Sequence, residues 1–335
     1  MIDNRPEKIG KKFQNVKVLS VEQFCQSQKD KSVVLCEKGK AKKLEEMTSG
    51  SDNTEIIEID VYNYKASEDC LDWSESKGMI EIAKAQEEMM KILKWFHYFC
   101  EKNHLHYTLY SGSLIGAIRH QGFIPWDDDV DVIMPAKDYF KCCELLSEEE
   151  EYEFLSIFNN KEYFTSTISK LLSKKYKREE RNFPLRQKMG IGIDIWSLGG
   201  FPNDISDQKV FSDNMEKIGN EWKEKVVIPY GTSLFCKKDY EQLVKKIKET
   251  ILKYDLADSR WVSCIYCGTF GFNHGRSRVM LKEDYINRHL TKFETEEFWI
   301  PDGYDKILKA DYGDYMILPL EEKRESKKMR VYQLG

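Results

Sequence analysis

The chain lacks the features that mark a membrane-spanning or secreted protein. Its apolar runs all fall short of the ~20 residues that a membrane-spanning helix requires. The first residues, MIDNRPEKIGKKF, carry charges but no apolar stretch, so we expect no secretory signal. The nine cysteines are odd in number and scattered, a usage that suits a reducing cytosol. We therefore expect a cytoplasmic protein, and peripheral contact with the inner face of a membrane stays open.

Several classes of nucleotide-handling protein are also disfavoured. The 52 basic and 57 acidic residues give a net charge of −5, whereas a general nucleic-acid binder shows a basic excess. No glycine loop followed by lysine is present, so a Walker-type ATPase lacks support. Glycine pairs at 190/192 and 199/200 do not form a dinucleotide-binding fingerprint. With 335 residues and 41% apolar residues, the chain is nevertheless long enough for a sizeable globular core.

A zinc site is the weaker interpretation of one cysteine pair. Cys264 and Cys267 have C-x-x-C spacing, and His274 follows. A structural zinc ion needs four ligands, and no second pair follows at finger-like spacing. We favour ordinary buried thiols and leave metal binding by this pair open.

One stretch begins with the signs of a phosphate-handling turn. A strand-like run at 107–110 is followed by the small residues Ser111, Gly112 and Ser113, and a short helix is predicted over 114–119. A glycine at such a turn lets backbone N–H groups approach an anion, and a helix N-terminus adds favourable partial charge. The pattern therefore predicts an anion-binding turn.

Aspartates follow this turn at strand spacing. Asp127, Asp128 and Asp129 form an unbroken run, and Asp131 comes next with a valine on either side. Since successive side chains of a strand point to opposite faces, Asp129 and Asp131 should share a face, joined by Asp127 if the strand begins that early. Adjacent carboxylates repel unless a cation lies between them, and Mg²⁺ (or Mn²⁺) is the usual partner. A solvated acidic turn is the alternative, but the upstream turn favours metal-dependent phosphoryl or nucleotidyl transfer.

Another aspartate lies inside an apolar strand. The segment 190–196 reads as a strand, and Asp194 stands among its isoleucines. An unpaired buried charge is costly, so Asp194 is either a structural carboxylate hydrogen-bonded to backbone or a third metal ligand on a neighbouring strand. We favour the second interpretation, which requires its side chain to meet those of Asp129 and Asp131.

The residues of this region resemble the signature of the LicD family. They are Ser111-Gly112-Ser113-Leu114-Ile115-Gly116-Ala117, Arg119-His120, the run from Gly122 to Asp129, and Asp131. The resemblance extends from about Ile80 to about Leu320 and leaves the N-terminal segment unaccounted for. It weakens at Asp194-Ile195-Trp196-Ser197, where the family pattern has Asp-Ile-Phe-Pro, so the acid matches while its neighbours diverge.

The resemblance implies an enzyme with a nucleotidyltransferase-like fold. LicD-type proteins, with fukutin-type relatives in eukaryotes, are phosphotransferases that decorate cell-surface glycans such as lipopolysaccharide, teichoic acid and capsular polysaccharide. The implied reaction transfers a phospho-alcohol unit, such as phosphocholine, from a CDP-alcohol donor of the CDP-choline, CDP-ribitol or CDP-glycerol type to a glycan or lipid-linked glycan acceptor. CMP is the leaving group.

The resemblance also implies roles for particular residues. The expected metal ligands are Asp127, Asp129, Asp131 and Asp194, and the expected donor-binding residues are Ser111, Gly112, Ser113, Arg119 and Lys170. Asp194 would also orient or deprotonate the acceptor hydroxyl. Lys170 matches a strand position at which the family carries a lysine toward the nucleotide, and a surface lysine is the alternative. Arg119 either faces the diphosphate or caps carbonyl groups, and a structural hydrogen bond is favoured for His120.

Two other functions compete with this one. A nucleotidyltransferase that attacks an NTP would use the same acids but release pyrophosphate in place of CMP. A non-catalytic partner in glycan assembly would keep only the fold, although the full set of acids argues against it.

The overall prediction is an α/β (α+β) protein. Residues 67–335 should form the catalytic domain, a mixed sheet surrounded by helices, and residues 1–66 a small α/β appendage of unknown role. Strands are expected at 16–19, 32–36 and 55–59, helices at 76–104, 137–149, 207–225 and 237–256, and a basic loop at 174–188.

Overall fold

The structure is a computed structural model. It describes residues 76–159, 166–180, 190–227, 235–268, 271–273, 279–324 and 329–334, and short strands at 12–13, 16–17, 32–37 and 54–59. The chain divides into two compact units, Met1–Asp72 with Arg181–Arg186 and Trp73–Glu180 with Gln187–Gly335. The boundary after residue 66 and the role of the first unit stay predictions.

The described part of the first unit consists of strands. Strand β1 (Lys12–Phe13) pairs antiparallel with β2 (Val16–Lys17), and β3 (Ser32–Glu37) pairs parallel with β4 (Thr54–Ile59). Parallel neighbours need a crossover connection, as in the α/β arrangement predicted for residues 1–66. The residues between these strands lie outside the described part.

The second unit alternates strands and helices. Its strands are β5 (Ser76–Met79), β6 (Thr108–Leu109), β7 (Val130–Pro135), β8 (Glu153–Leu155), β9 (Ser169–Leu172), β10 (Tyr176–Glu180), β11 (Gly192–Phe201), β12 (Trp261–Cys264), β13 (Tyr266–Gly268), β14 (Gly271–Asn273), β15 (Met280–Leu281), β16 (Arg288–Phe293), β17 (Glu296–Pro301) and β18 (Met329–Leu334). Its α-helices are α1 (Ile82–Asn103), α2 (Ser111–Ile115), α3 (Ala136–Leu146), α4 (Ile205–Trp222), α5 (Lys237–Ile251), α6 (Lys282–Ile286) and α7 (Tyr304–Tyr312). Short π-helices extend α2 over Gly116–His120 and α4 over Lys223–Val227, and a 3₁₀ turn covers Glu321–Lys323.

A mixed sheet forms the centre of the second unit. Its strands follow the order β15–β12–β11–β7–β6, and β9, which also pairs with β8, pairs with the first part of β11. Strand β7 runs parallel to β11, whereas the pairings of β11 with β9 and β12 are antiparallel. The predicted α/β (α+β) class with a mixed sheet is confirmed.

Strand β7 is buried on both faces. Val130 and Val132 are fully shielded from solvent, as the alternating pattern predicted, and Ile133 and Met134 are buried as well. Asp131 is buried in the same strand at 6% exposure. A carboxylate in the middle of a central strand requires partners, and these partners define the candidate site described below.

Helix α1 follows the predicted apolar spacing. Its buried residues recur every three or four positions, and they are Ala85, Glu88, Met89, Ile92, Leu93, Phe96 and Cys100. The prediction that the helix begins at Ser76 was wrong, because Ser76–Met79 form β5 and pair with β18. Gly78 weakens the helical preference of that segment, and strand pairing decides its conformation.

Pairing between distant segments also overrides the predicted basic loop. Tyr176–Glu180 form β10, which pairs with β18 in a three-stranded sheet of order β10–β18–β5, so the prediction of a loop was wrong there. Residues 181–189 lie outside the described part. The helices predicted at 137–149, 207–225 and 237–256 are present as α3, α4 and α5 with shifted ends. Among the described helices, none has the combined length and apolar character needed to cross a membrane.

Candidate active site

Strand register brings together three of the predicted site residues. Asp131 on β7 lies opposite Asp194 on the parallel strand β11. Asp194 in turn lies opposite Lys170 on the antiparallel strand β9. Neighbouring strands lie ≈ 4.8 Å apart and directly paired residues share a face, so two acids and a base stand side by side across three strands.

The run of aspartates ends where β7 begins. One carboxylate oxygen from each of Asp127, Asp128 and Asp129 lies within 4.8 Å of the others. The strand begins at Val130, so neither Asp127 nor Asp129 is part of it, and only Asp131 of the predicted acids lies on this strand. The structure therefore adds Asp128, buried at 5% exposure, to the acids that the sequence had singled out.

Burial and mutual repulsion act on these carboxylates. Burial raises the pKa of Asp131 well above its ordinary value, the carboxylates of Asp129 and Asp194 raise it further, and the Trp196 indole opposes the shift. The pKa of Asp129 is raised by burial and by Asp194, while the Arg178 guanidinium lowers it. Asp127, Asp128, Asp129, Asp131 and Asp194 are called the acid cluster below. Their carboxylates lie close together where little water reaches them, and a bound cation would stabilise their charged forms.

Lys170 supplies positive charge inside this cluster. Its Nζ donates to both carboxylate oxygens of Asp194 at 2.6 Å. The two side chains are only 8% and 13% exposed, so water screens the pair weakly. The Asp194 carboxylate is consequently held by the ammonium group of Lys170. A metal ion, or a proton taken from an acceptor hydroxyl, would have to share this carboxylate with Lys170.

The turn at 111–113 is tied to the acid strand. The predicted helix begins at Ser111, earlier than the sequence indicated. Tyr110 N donates to Asp131 O, and Asp131 N donates to the Ser113 hydroxyl, both at 2.9 Å. A Cβ at Gly112 would lie 2.8 Å from Asp127 Oδ2, so any other residue here would displace this carboxylate. The sequence suggested that Gly112 makes room for a bound anion. In the structure the group beside this glycine is the carboxylate of Asp127.

The loop that carries the aspartates is fixed from two sides. Glu294, at the turn between β16 and β17, accepts from Phe123 N at 2.9 Å and donates its own N–H to Gln121 O at 2.7 Å. From α1, Gln86 Nε2 donates to Asp127 O at 2.9 Å. The acidic run is therefore positioned by hydrogen bonds to its backbone.

Arg119 is engaged by a distant segment, and its pKa is lowered by burial while the nearby Asp127 carboxylate opposes that shift. Its Nη1 donates to Tyr315 O at 2.5 Å and lies 3.5 Å from Ile317 O, and its Nε donates to His120 Nε2 at 3.0 Å. It thus caps carbonyl groups, the alternative that the sequence left open, although the carbonyls belong to a distant segment. His120 accepts this hydrogen bond and packs edge-on against Trp126 at 6.3 Å, a structural role.

Aromatic residues border the acids, and the sequence did not assign them to the site. Trp196 Nε1 donates to Asp131 Oδ1 at 2.7 Å. Its ring packs edge-on against Tyr110 at 5.7 Å and Tyr266 at 5.2 Å. The available signal was the i, i+2 spacing of Asp194 and Trp196, which places both on one face of β11. Arg178 gave no such signal, because β10 was predicted as a loop.

The cysteine pair behaves as buried thiols. Cys264 and Cys267 are fully shielded from solvent, and burial raises the pKa of both. Thr167 accepts from Cys267 N through its hydroxyl at 2.7 Å. His274 lies outside the described residues, so zinc binding by the pair stays untested.

The fold and the acid cluster together define a nucleotidyltransferase-like α/β domain. In agreement, residues 104–242 match the family model described as LicD/FKTN/FKRP, nucleotidyltransferase domain. Residues 104–242 therefore carry a domain of the LicD type.

The chain is similar to several known proteins. It is 27% identical over 257 residues to the lipopolysaccharide cholinephosphotransferase LicD of Haemophilus influenzae, an alignment that covers 72% of this chain and 94% of that protein. Uncharacterized proteins of Rickettsia prowazekii and Rickettsia typhi are 36% identical over 63 residues and 35% identical over 75 residues. Those two alignments cover 19% and 22% of this chain and 24% of each relative.

Proposed function

We propose that this protein transfers a phospho-alcohol unit of the phosphocholine type from a CDP-alcohol to a cell-surface glycan or its precursor, at the inner face of a membrane, with release of CMP. The observation that carries the proposal is the register of Asp131 and Asp194 across β7 and β11, next to the carboxylates of 127–129. The name of the Haemophilus relative, which matches over nearly its whole length, supports phosphocholine as the unit.

The donor set fits a hard divalent cation. Asp127, Asp128 and Asp129 offer carboxylate oxygens at close range, and Asp131 and Asp194 lie on the strands behind them. All are oxygen ligands, as Mg²⁺ and Mn²⁺ prefer. A bound Mg²⁺ would neutralise charge on the donor diphosphate and on the departing CMP.

The remaining groups would bind and orient the two substrates. The turn at 111–113 borders Asp127 and Asp131, and its backbone N–H groups and the Ser111 hydroxyl would contact the donor phosphates. Lys170 supports Asp194, which would orient the acceptor hydroxyl and accept its proton. General base action of this kind contributes about 10²–10⁴-fold to a rate.

Donor turnover tests the proposal directly. Purified protein is incubated with Mg²⁺ and CDP-choline, CDP-ribitol or CDP-glycerol, with water in place of the glycan as the acceptor of the phospho-alcohol, and slow CMP release is measured by chromatography. We expect release from one donor, abolished in Asp131→Asn and by EDTA, with unchanged circular dichroism. Asp255→Asn, at an exposed surface ion pair, is the matched control.

Two results would contradict the proposal. Near-normal metal-dependent activity in Asp131→Asn would remove the acid cluster from the mechanism. Pyrophosphate released from an NTP, with no CMP from any CDP-alcohol, would establish the competing nucleotidyltransferase activity instead.

A further inference from the structure

An apolar ridge stands exposed beside the candidate active site. It consists of Met316, Ile317, Leu318 and Leu320, whose side chains are 52%, 68%, 42% and 64% exposed. Aliphatic side chains scattered singly over a surface are ordinary, but four within five consecutive residues mark an interaction site. We propose that this apolar ridge inserts into the surface of a lipid bilayer that carries the acceptor, an inference that rests on the proposed function.

The ridge is held in a defined conformation. Arg119 Nη1 donates to Tyr315 O, and Ile317 N donates to Asp314 O at 3.2 Å. At the other end, Arg324 Nε donates to Pro319 O at 2.8 Å. These bonds fix the backbone while the apolar side chains stay in solvent, so the exposure is built into the fold and is not left over from a loose loop.

Hydrogen bonds connect the ridge to the site. The hydroxyl groups of Tyr312 and Ser111 lie 2.7 Å apart, which joins the last residue of α7, just before the ridge, to the turn that borders the aspartates. Arg119, which holds the ridge, belongs to the π-helix that directly continues α2 from that turn. A membrane that contacts the ridge therefore lies next to the aspartates, where the hydroxyl group of the acceptor must bind.

Charge and area identify a bilayer as the occupant. The flanking charges are balanced, with five acidic and five basic residues over 311–330. Attraction to anionic headgroups is thus not the driving force, and apolar insertion is. A second copy of the chain is a poorer occupant, because four partly exposed side chains fall well short of the roughly 800 Å² per partner of a standard interface. A lipid-bearing acceptor, as in the name of the Haemophilus relative, would present such a bilayer.

Vesicle co-sedimentation tests the inference with the full chain. Phosphatidylcholine vesicles should bind the parent protein, and Ile317→Ser/Leu320→Ser should reduce partitioning by about tenfold or more, the loss expected from two buried aliphatic side chains. The matched control is Ile205→Ser/Val210→Ser, since these residues of α4 are 83% and 67% exposed. The control should bind like the parent, and raising the salt concentration should leave binding unchanged.

Three outcomes would overturn the inference. The parent protein fails to bind the vesicles, or the ridge variant binds as well as the parent. Alternatively, light scattering shows a dimer of the parent that the ridge variant loses, which assigns the ridge to a second copy of the chain.

Donor turnover separates this inference from the proposed function. CMP release from the donor in the absence of vesicles should be equal in the ridge variant and the parent, whereas transfer to a lipid-linked acceptor in vesicles should fall in the ridge variant alone. Vesicle binding that depends on the ridge, without any donor turnover, would refute the proposed function and retain the ridge as a membrane contact. Donor turnover without vesicle binding would do the reverse.

Discussion

Replacing Lys170 by methionine tests whether the protein carries its own counter-cation for the acid cluster. Lys170 contacts both oxygens of Asp194, and neither side chain is more than 13% exposed. Methionine keeps most of the apolar stem and removes the ammonium group. Asp194 is then left beside Asp131 and Asp129 without that charge.

Burial sets the size of the expected effect. Removing one partner of a buried ion pair destabilises a protein by about 3–5 kcal/mol, because the other charge stays behind. In a domain of this size 1 kcal/mol corresponds to about 2–4 °C in Tm, so Lys170→Met should lower Tm by about 6–20 °C in EDTA. Mg²⁺ should restore most of the loss, because a bound cation replaces the missing charge.

Thermal melts followed by circular dichroism, in EDTA and across a Mg²⁺ titration, measure both effects. Lys170→Met/Asp194→Asn removes both charges and should recover part of the stability. The control is Lys137→Met, whose partner Asp255 is 37% exposed and whose loss should cost less than about 1 kcal/mol. Lys170 is not the counter-cation of these acids if Lys170→Met melts like the parent in EDTA, or if the loss in Tm is equally large in saturating Mg²⁺.

Further predictions concern the neighbouring residues. Trp196→Phe keeps an aromatic ring but removes the N–H group that donates to Asp131. A hydrogen bond to a charged group contributes about 1.5–3 kcal/mol, so CMP release should slow by about tenfold or more. An unchanged rate would contradict this prediction. Gly112→Ala places a Cβ 2.8 Å from Asp127 Oδ2 and should displace this carboxylate. If Asp127 is a metal ligand, the Mg²⁺ dissociation constant measured by calorimetry should rise. An unaltered value would mean that Asp127 is not a ligand. Burial and neighbouring carboxylates raise the pKa of Asp131, so this carboxyl group binds its proton more tightly in the folded state than in the unfolded state. The ionised group therefore lowers the stability of the fold as the pH rises above the ordinary titration range of an aspartate. In EDTA at pH 7, Asp131→Asn should therefore melt above the parent, and the difference should shrink as the pH is lowered.

The sequence was sufficient to predict how the acids converge. Alternation of aspartate and valine placed Asp131 on a strand, and a lone carboxylate among isoleucines indicated that Asp194 needed a partner. The structure pairs these two residues directly. The local sequence pattern predicts these two strands correctly because both strands are largely buried. The core therefore requires apolar residues along them, and a carboxylate stands out.

Contacts between distant segments were beyond the reach of the sequence. Arg119 lies near the acids along the chain, yet its partners are carbonyls of Tyr315 and Ile317. Arg178 affects Asp129 from a segment whose strand forms only by pairing with β18. No local periodicity encodes such pairings, since they depend on which strands become neighbours.

Strand β18 has a consequence for how this molecule forms. It lies between β5 and β10, so that Tyr332 pairs with Met79, near the other end of the second unit, and Gln333 pairs with Tyr176, in its interior. Pairings of such high contact order are slow, because the entropy of closing a long loop is lost before the contacts are gained. During synthesis β5 and β10 wait with unsatisfied edges until residues 329–334 leave the ribosome, and such edges invite mispairing. Refolding should accordingly be slow and chaperone-sensitive, even though the acid strands themselves pair over shorter distances along the chain.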